Sequence, residues 1–165
     1  MGHEGSFESY IAHYLEVAPG TLTISGSNYS TLFSTKWASA PGDSMLIPGL
    51  SQNENDQSDW IIGRGRKNTA IIIAHATNNN YTADAAGICA NSVFKNLDWF
   101  LPSRYELDEL YNQRTLMGVI VTSSGNYWSS SQGFANYAWS RSFSNNISNG
   151  NTKSTTNNIR LIRAF

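Results

Sequence analysis

Strand-like, loop-like and helix-like patterns follow one another along the chain before it closes on a polar, aromatic-studded stretch. Tyr10 to Val17 (YIAHYLEV) is rich in strand-forming residues of mixed polarity, and Ala18-Pro19-Gly20 ends it with turn chemistry. From Thr21 to Asp59, Ser, Gly, Asn and Pro dominate, with Phe33, Trp37, Met45, Leu46 and Ile47 scattered among them. That pattern predicts long loops with short strands, and not a linker, because the apolar residues need burial. Trp60, Ile61 and Ile62 make a short apolar run before the Gly63-Arg64-Gly65 turn. In AIIIAHA the three isoleucines favour a strand, while the alanines and the preceding Asn68 and Thr69, read as caps, favour a helix; we read a helix. Thr82 to Phe94 is alanine-rich with Asp84 in its first turn, and it predicts another. Ser103 and Glu106 stand at capping-box spacing, and Leu107, Leu110 and Tyr111 then line one helix face, with Asp108 and Glu109 outside. Strand signals follow at Val119–Thr122, Tyr137–Phe143 and Ile159–Phe165. There is no internal repeat and no domain boundary, so residues 1–165 read as one α+β domain whose terminal strands pair.

The stretch Ser123 to Asn158 is two thirds Ser, Asn, Thr and Gly, yet Tyr127, Trp128, Phe134, Tyr137, Trp139 and Phe143 run through it. Disordered tails are poor in aromatic residues and usually rich in charge, and here only Arg141 and Lys153 are charged. Rigid aromatics among small adaptable polar groups are the composition of a recognition surface. IRLIRAF (Ile159–Phe165) reads as a buried strand that holds this insert in place.

Bulk properties narrow the classes. The charged fraction is 14%, against a usual value of about 25%. A net charge of −1 and a pI near 6.3 argue against nucleic-acid binding. No apolar run approaches the roughly 18 residues that cross a bilayer, so no membrane insertion is expected. MGHEGSFESY has no basic segment leading into an apolar one, so no signal peptide is read there. Cys89 is alone, which removes any internal disulfide or cysteine-based metal site, and it reads as a small buried hydrophobe.

The order DWFLPSRYELDELYN, NYWSSS, AW and IRLIRAF resembles the C-type lectin-like domains of bacterial surface adhesins and the ligand-binding variable proteins diversified by retroelements. The matching positions are Trp99, Leu101, Pro102, Ser103, Glu106, Leu107, Tyr127, Trp128, Ser129, Ser130, Ala138, Trp139, Arg160, Arg163, Ala164 and Phe165. His13–Pro19 and Gly65, Asn68 and Thr69 are weaker landmarks. The resemblance implies a C-type lectin-like fold of the formylglycine-generating-enzyme type. Such a fold has paired terminal strands, two main helices and long irregular loops. It implies a ligand-binding, variable region at about 127–158 and a closing strand at 159–165, displayed on a cell surface or a virion.

In diversified members this region is rewritten at template adenines. AAY codons yield Asn, Ser, Thr, Tyr, Phe, Gly, Ala, Asp, Ile, Arg and similar residues, never Trp, Lys, Glu, Gln or Met. Gln132, Trp139 and Lys153 are then fixed positions. The resemblance thus makes Trp139 scaffold beside Phe143, with Ser140, Ser142 and Ser144 on the opposite strand face towards ligand or solvent. The contact positions it implies are Phe134, Asn136, Tyr137, Ser140, Arg141, Ser142, Asn145, Asn146, Ile147, Asn149, Asn151 and Thr152, and the partner is a protein or glycan on another cell or particle.

Competing chemistries fit poorly. The Glu-Pro-Asn, Gln-Pro-Asp and Trp-Asn-Asp motifs of calcium-dependent lectins are missing, and Ser123–Asn158 holds no carboxylate. NENDQSD (Asn53–Asp59) lacks the glycine and closing Glu of an EF-hand and reads as a solvated acidic loop. Cys89 has no second cysteine, which the oxidases of this fold require, and His3, His13 and His75 are scattered. Gly63–Lys67 lacks P-loop spacing. No enzyme, no catalytic residue, no metal and no cofactor are expected.

Overall fold

The computed structural model describes residues 14–18, 21–24, 27–30, 33–91, 98–116 and 125–164. Three α-helices occur among them, α1 (Gly65–Asn78), α2 (Asp84–Asn91) and α3 (Arg104–Asn112), not the two main ones the resemblance implied. α3 starts as its sequence predicts. The Ser103 side chain accepts from Glu106 N, and Glu106 Oε2 accepts from Ser103 N at 2.7 Å. Leu107, Leu110 and Tyr111 are buried on its inner face.

Asn68 and Thr69 are not caps. α1 begins earlier, at Gly65, and both residues lie buried within it. Asn68 Nδ2 donates to the Asp59 carbonyl (2.7 Å). Thr69 Oγ1 donates to the Gly65 carbonyl (2.8 Å) and accepts from Leu101 N (3.0 Å). Their polar groups tie the helix to neighbouring loops, and the isoleucine run continues it into the core through Ile72.

The strands are β1 (Leu15–Val17), β2 (Thr21–Ile24), β3 (Ser27–Ser30), β4 (Phe33–Thr35), β5 (Asn126–Gln132), β6 (Tyr137–Ser142), β7 (Ser148–Thr152), β8 (Asn157–Ile159) and β9 (Ile162–Ala164). β1 pairs with β9, β2 with β3, and the main sheet runs β4-β8-β5-β6-β7. The closing strand read at 159–165 is in fact the end of β8 and then β9, in different sheets. Switching sheets at Arg160 and Leu161 lets Ile159, Leu161 and Ile162 all be buried, which one alternating strand would not allow. Residues 10–13, 92–94, Val119–Thr122 and Phe165, all placed in predicted elements, lie outside the described residues, as does His3.

β5 gave no strand signal because it is rich in serine, but it is the centre of the main sheet and buried from Tyr127 to Gln132. One cluster contains Trp37, Ile47, Ile72, Trp128 and Ile159, together with α2 residues. A second gathers Leu107, Leu110, Tyr111, Tyr127, Phe143 and Ile162 around α3. Small serines let loops approach, and their hydroxyls find partners. Ser129 Oγ donates to the Trp139 carbonyl (2.7 Å) and Ser131 Oγ to the Asp59 carbonyl (2.9 Å).

A buried polar chain pins the long 36–60 loop to this sheet. Lys153 Nζ donates to the Met45 carbonyl (2.7 Å) and to Gln132 Oε1 (2.8 Å). Gln132 Nε2 donates to the Ser51 carbonyl (2.7 Å), and Gln132 N to Asp59 Oδ2 (2.9 Å). Asp59 is therefore not part of a solvated acidic loop: its carboxyl is fully buried, and burial pushes its pKa up against the Ser51 and Gln132 hydrogen bonds.

Burial lowers the Lys153 amine from 10.5 to about 7, with Asp43 pulling the other way. Between those values the unfolded chain binds more protons than the folded one, so this group makes stability rise with pH. The penalty for a buried ammonium is full below about pH 7 and fades as the pH climbs. We expect the melting temperature to rise between about pH 7 and pH 9, and Lys153→Met to flatten that rise. A flat or falling profile in the unsubstituted protein would mean that the buried amine keeps its proton.

Candidate functional site

β6 and β7 form the outer hairpin of the main sheet, paired Tyr137↔Thr152, Trp139↔Gly150 and Arg141↔Ser148. Among the described residues β7 is an edge strand, and it has no apolar residue. Ser142 N donates to the Ile147 carbonyl (2.8 Å) and Lys153 N to the Asn136 carbonyl (2.9 Å). In this antiparallel register the backbone N–H and C=O groups of Ser148, Gly150 and Thr152 therefore point away from β6.

Burial divides the implied contact residues. Phe134 (44% exposed) and Ile147 (48%) sit in the turns at opposite ends of the hairpin. Asn136, Asn145, Asn146, Asn149 and Thr152 are also exposed, while Tyr137, Arg141 and Asn151 are half-buried. Ser140 (2%) and Ser142 (6%) are buried, which corrects their placement as contact residues. Ser140 Oγ donates to the Asn149 carbonyl (3.2 Å) and hydrogen-bonds Asn151 Oδ1. Alternation assigned them to solvent on the assumption of one wet face. The sheet is instead covered on both sides here, by α3 on the face of Trp139 and Arg141 and by the main core on the face of Ala138 and Ser140. Of the three serines, only Ser144 is exposed.

A row of aromatic rings runs across the hairpin to the start of α3. Phe134 and Tyr137 stack with centroids 6.1 Å apart. A methyl group on Gly150 or Gly133 would come within 3.0 Å of the Tyr137 ring, so the two glycines are the bed on which that ring lies. Trp139 meets Trp60 edge-on at 5.2 Å, and Trp60 meets Tyr105 edge-on at 6.1 Å. The Arg104 guanidinium lies 3.9 Å from the Trp60 ring and 3.7 Å from the Trp139 ring. Its pKa is lowered by burial and by Arg141, with Asp108 and Tyr105 opposing. Trp139 is thus scaffold on the α3 side, as is Phe143, which is buried against Tyr111 and Tyr127.

Arg141 is held at the other end of the strand. It pairs with Asp108 of α3, donates to Ser148 Oγ (3.0 Å), hydrogen-bonds Asn146 and lies 4.7 Å from the Tyr111 ring. Arg141, one of the implied contact positions, is therefore braced, and the carboxylate missing from Ser123–Asn158 is supplied by Asp108, outside that stretch.

No protein-family model matches the sequence, and a search of curated proteins returns no match. A solved structure does resemble this one. The likeness is to a fimbrial protein from Bacteroides ovatus. The two share 15% sequence identity at a TM-score of 0.50, and the match covers 82% of this chain. It covers 35% of the fimbrial protein, so this chain spans about a third of that protein's length. At this identity the likeness shows a shared fold. Among the described residues no helix is long and apolar enough to cross a membrane.

Sequence reasoning missed Arg104, Tyr105 and the tertiary role of Trp60. One signal was available. A cation at the first position of a helix opposes the macrodipole, so Arg104 directly after its cap called for a local reason. The two tryptophan rings supply it.

Proposed function

We propose that this chain is a non-enzymatic recognition protein. It is a C-type lectin-like variable protein of the retroelement-diversified kind, whose ligand face is the β6–β7 hairpin with its two flanking turns. One observation carries the reading. Gln132, Trp139 and Lys153, which rewriting of AAY codons cannot produce, are all locked into the scaffold. Gln132 and Lys153 are fully buried and bonded to each other at 2.8 Å, and Trp139 packs on Trp60 and Arg104. The exposed positions Phe134, Asn136, Ser144, Asn145, Asn146, Ile147, Asn149, Gly150 and Thr152 are all residues that such rewriting can yield.

The mechanism follows from the backbone. The hairpin is ordered by its own ladder, so outward side chains change without reordering the strands, and binding does not bear the ordering cost of a loop. Rewritten copies in clonal descendants, differing only at adenine-encoded positions of this hairpin, would establish diversification; an invariant 3′ region with no adjacent reverse transcriptase would overturn it. In that event the alternative is a fixed-sequence cell-surface adhesin domain with one protein or glycan ligand, which the fold shared with part of a fimbrial protein favours.

Whichever reading holds, the exposed Phe134 and the half-buried Tyr137 stacked on it should carry affinity. Phe134→Ala and Tyr137→Ala are expected to weaken ligand binding by about tenfold or more while moving the melting temperature by only a few degrees. Large stability losses from both would place them in the scaffold and remove them from the contact set.

A further inference from the structure

Arg104 is a half-buried cation with no contact ion pair among the described residues. No hydrogen bond or ion pair joins its guanidinium to another described residue, and its Nε and Nη1 are sealed from solvent without an acceptor. This leaves Nη2 as the guanidinium nitrogen that reaches solvent. Asp108, the carboxylate that acts on Arg104 through space, is itself engaged through Oδ1 by Arg141 and Ser148. Trp60, only 5% exposed, likewise has an unpartnered Nε1, as does Trp139. The start of α3 itself is occupied: Arg104 N donates to Ser131 Oγ (3.0 Å), Tyr105 N to the Trp60 carbonyl (2.9 Å), and Glu106 N to Ser103 Oγ (3.3 Å). The unused donors are therefore side chains, gathered beside the aromatic row.

Buried polar groups are ordinarily satisfied, and a desolvated cation forms its strongest hydrogen bonds with an anionic oxygen. The rings fix the guanidinium so that little side-chain freedom is lost on pairing. We propose that Arg104, framed by Trp60 and Trp139, receives a carboxylate side chain of a protein partner docked on the β6–β7 face. This rests on the recognition reading above and adds the chemistry of the contact. Phe134 and Tyr137 would take the apolar surface beside that carboxylate.

The test uses the full chain, isotope-labelled and titrated with hexaglutamate or hexaglutamine at about 20 mM salt, where screening is weak. The Trp60 and Trp139 indole N–H and Arg104 Nε–H signals should shift saturably with hexaglutamate and stay still with hexaglutamine. Affinity should fall as salt is raised. Arg104→Gln should lower it by about tenfold or more, Arg104→Lys by less, and Arg66→Gln, whose guanidinium pairs with Asp98, should leave it unchanged. Equal responses to the two peptides would overturn the proposal, as would unchanged hexaglutamate affinity in a folded Arg104→Gln protein. Should that variant not fold, the two-peptide comparison on the unsubstituted chain still decides. Loss of natural-ligand binding in Phe134→Ala without any hexaglutamate response would leave the recognition face standing and remove only the carboxylate assignment.

Discussion

Glu106→Ala should lower stability by about 3–5 kcal/mol, read as a fall in the urea midpoint with an unchanged slope. The carboxylate is fully buried and accepts from Gly63 N (2.8 Å), from Ser103 N (2.7 Å) and from the backbone of Gly65. Alanine would strand these N–H groups, at about 1–3 kcal/mol each, while relieving the desolvation of a buried anion. The stranding should dominate, because the site is packed too tightly to admit much water. A methyl group on Gly65 would fall 2.2 Å from Glu106 Oε2 and 2.9 Å from both the Leu101 carbonyl and Ser103 N. Glu106→Gln keeps the shape and one acceptor oxygen but turns an NH2 towards backbone donors, so it should cost roughly half as much. A Glu106→Ala protein with the original midpoint would mean that the start of α1 and the cap of α3 hold without their shared carboxylate.

The second large effect lies in the core. Trp128→Ala should cost about 3–5 kcal/mol and lower the melting temperature by about 10 °C. The indole is fully buried among Trp37, Ala138, Ile159 and Leu161, and its Nε1 donates to the Thr35 carbonyl at 3.0 Å. Removing it opens a cavity at the centre of the sheet and leaves that carbonyl unpaired. Trp139→Ala should cost less than half as much, because Trp139 is only half-buried and its partners Trp60 and Arg104 can settle towards the gap. Equal losses at the two positions would put Trp139 in the core proper and argue against its place in the surface row.

Much of this was legible wherever a local rule determines the structure. The S-x-x-E spacing located α3 and its buried face, and the alanine-rich segment located α2. The helix reading of AIIIAHA held, although its start did not, because Asn68 and Thr69 serve tertiary partners that no local pattern names. β5 escaped notice because serine has weak strand propensity, and its burial depends on loops brought from far along the chain. Ser140 and Ser142 were misassigned for a related reason. Period-two alternation tells which residues share a face, but not whether that face is wet. Asp59 looked solvated among acidic neighbours, and only the loop's return to Gln132 and Ser51 buries it. Gln132 and Lys153 were marked only as positions that template rewriting cannot produce, and no local pattern joins them in the buried chain that anchors the sheet.

The outward-pointing backbone of β7 sets a further bound on what this face can become. An unpaired strand edge is a template on which a second chain can crystallise its own strand, and native proteins blunt such edges with short length, charge or irregularity. β7 has no charge and relies on five residues of Asn, Ser, Gly and Thr, all poor builders of an adhesive strand except the last. Writing Ile, Val, Tyr or Phe into several of these positions at once would produce the short, uncharged, β-prone segment that seeds fibrils. If the proposed diversification acts on this edge, its repertoire would be culled by colloidal solubility before it is ever tested against a ligand.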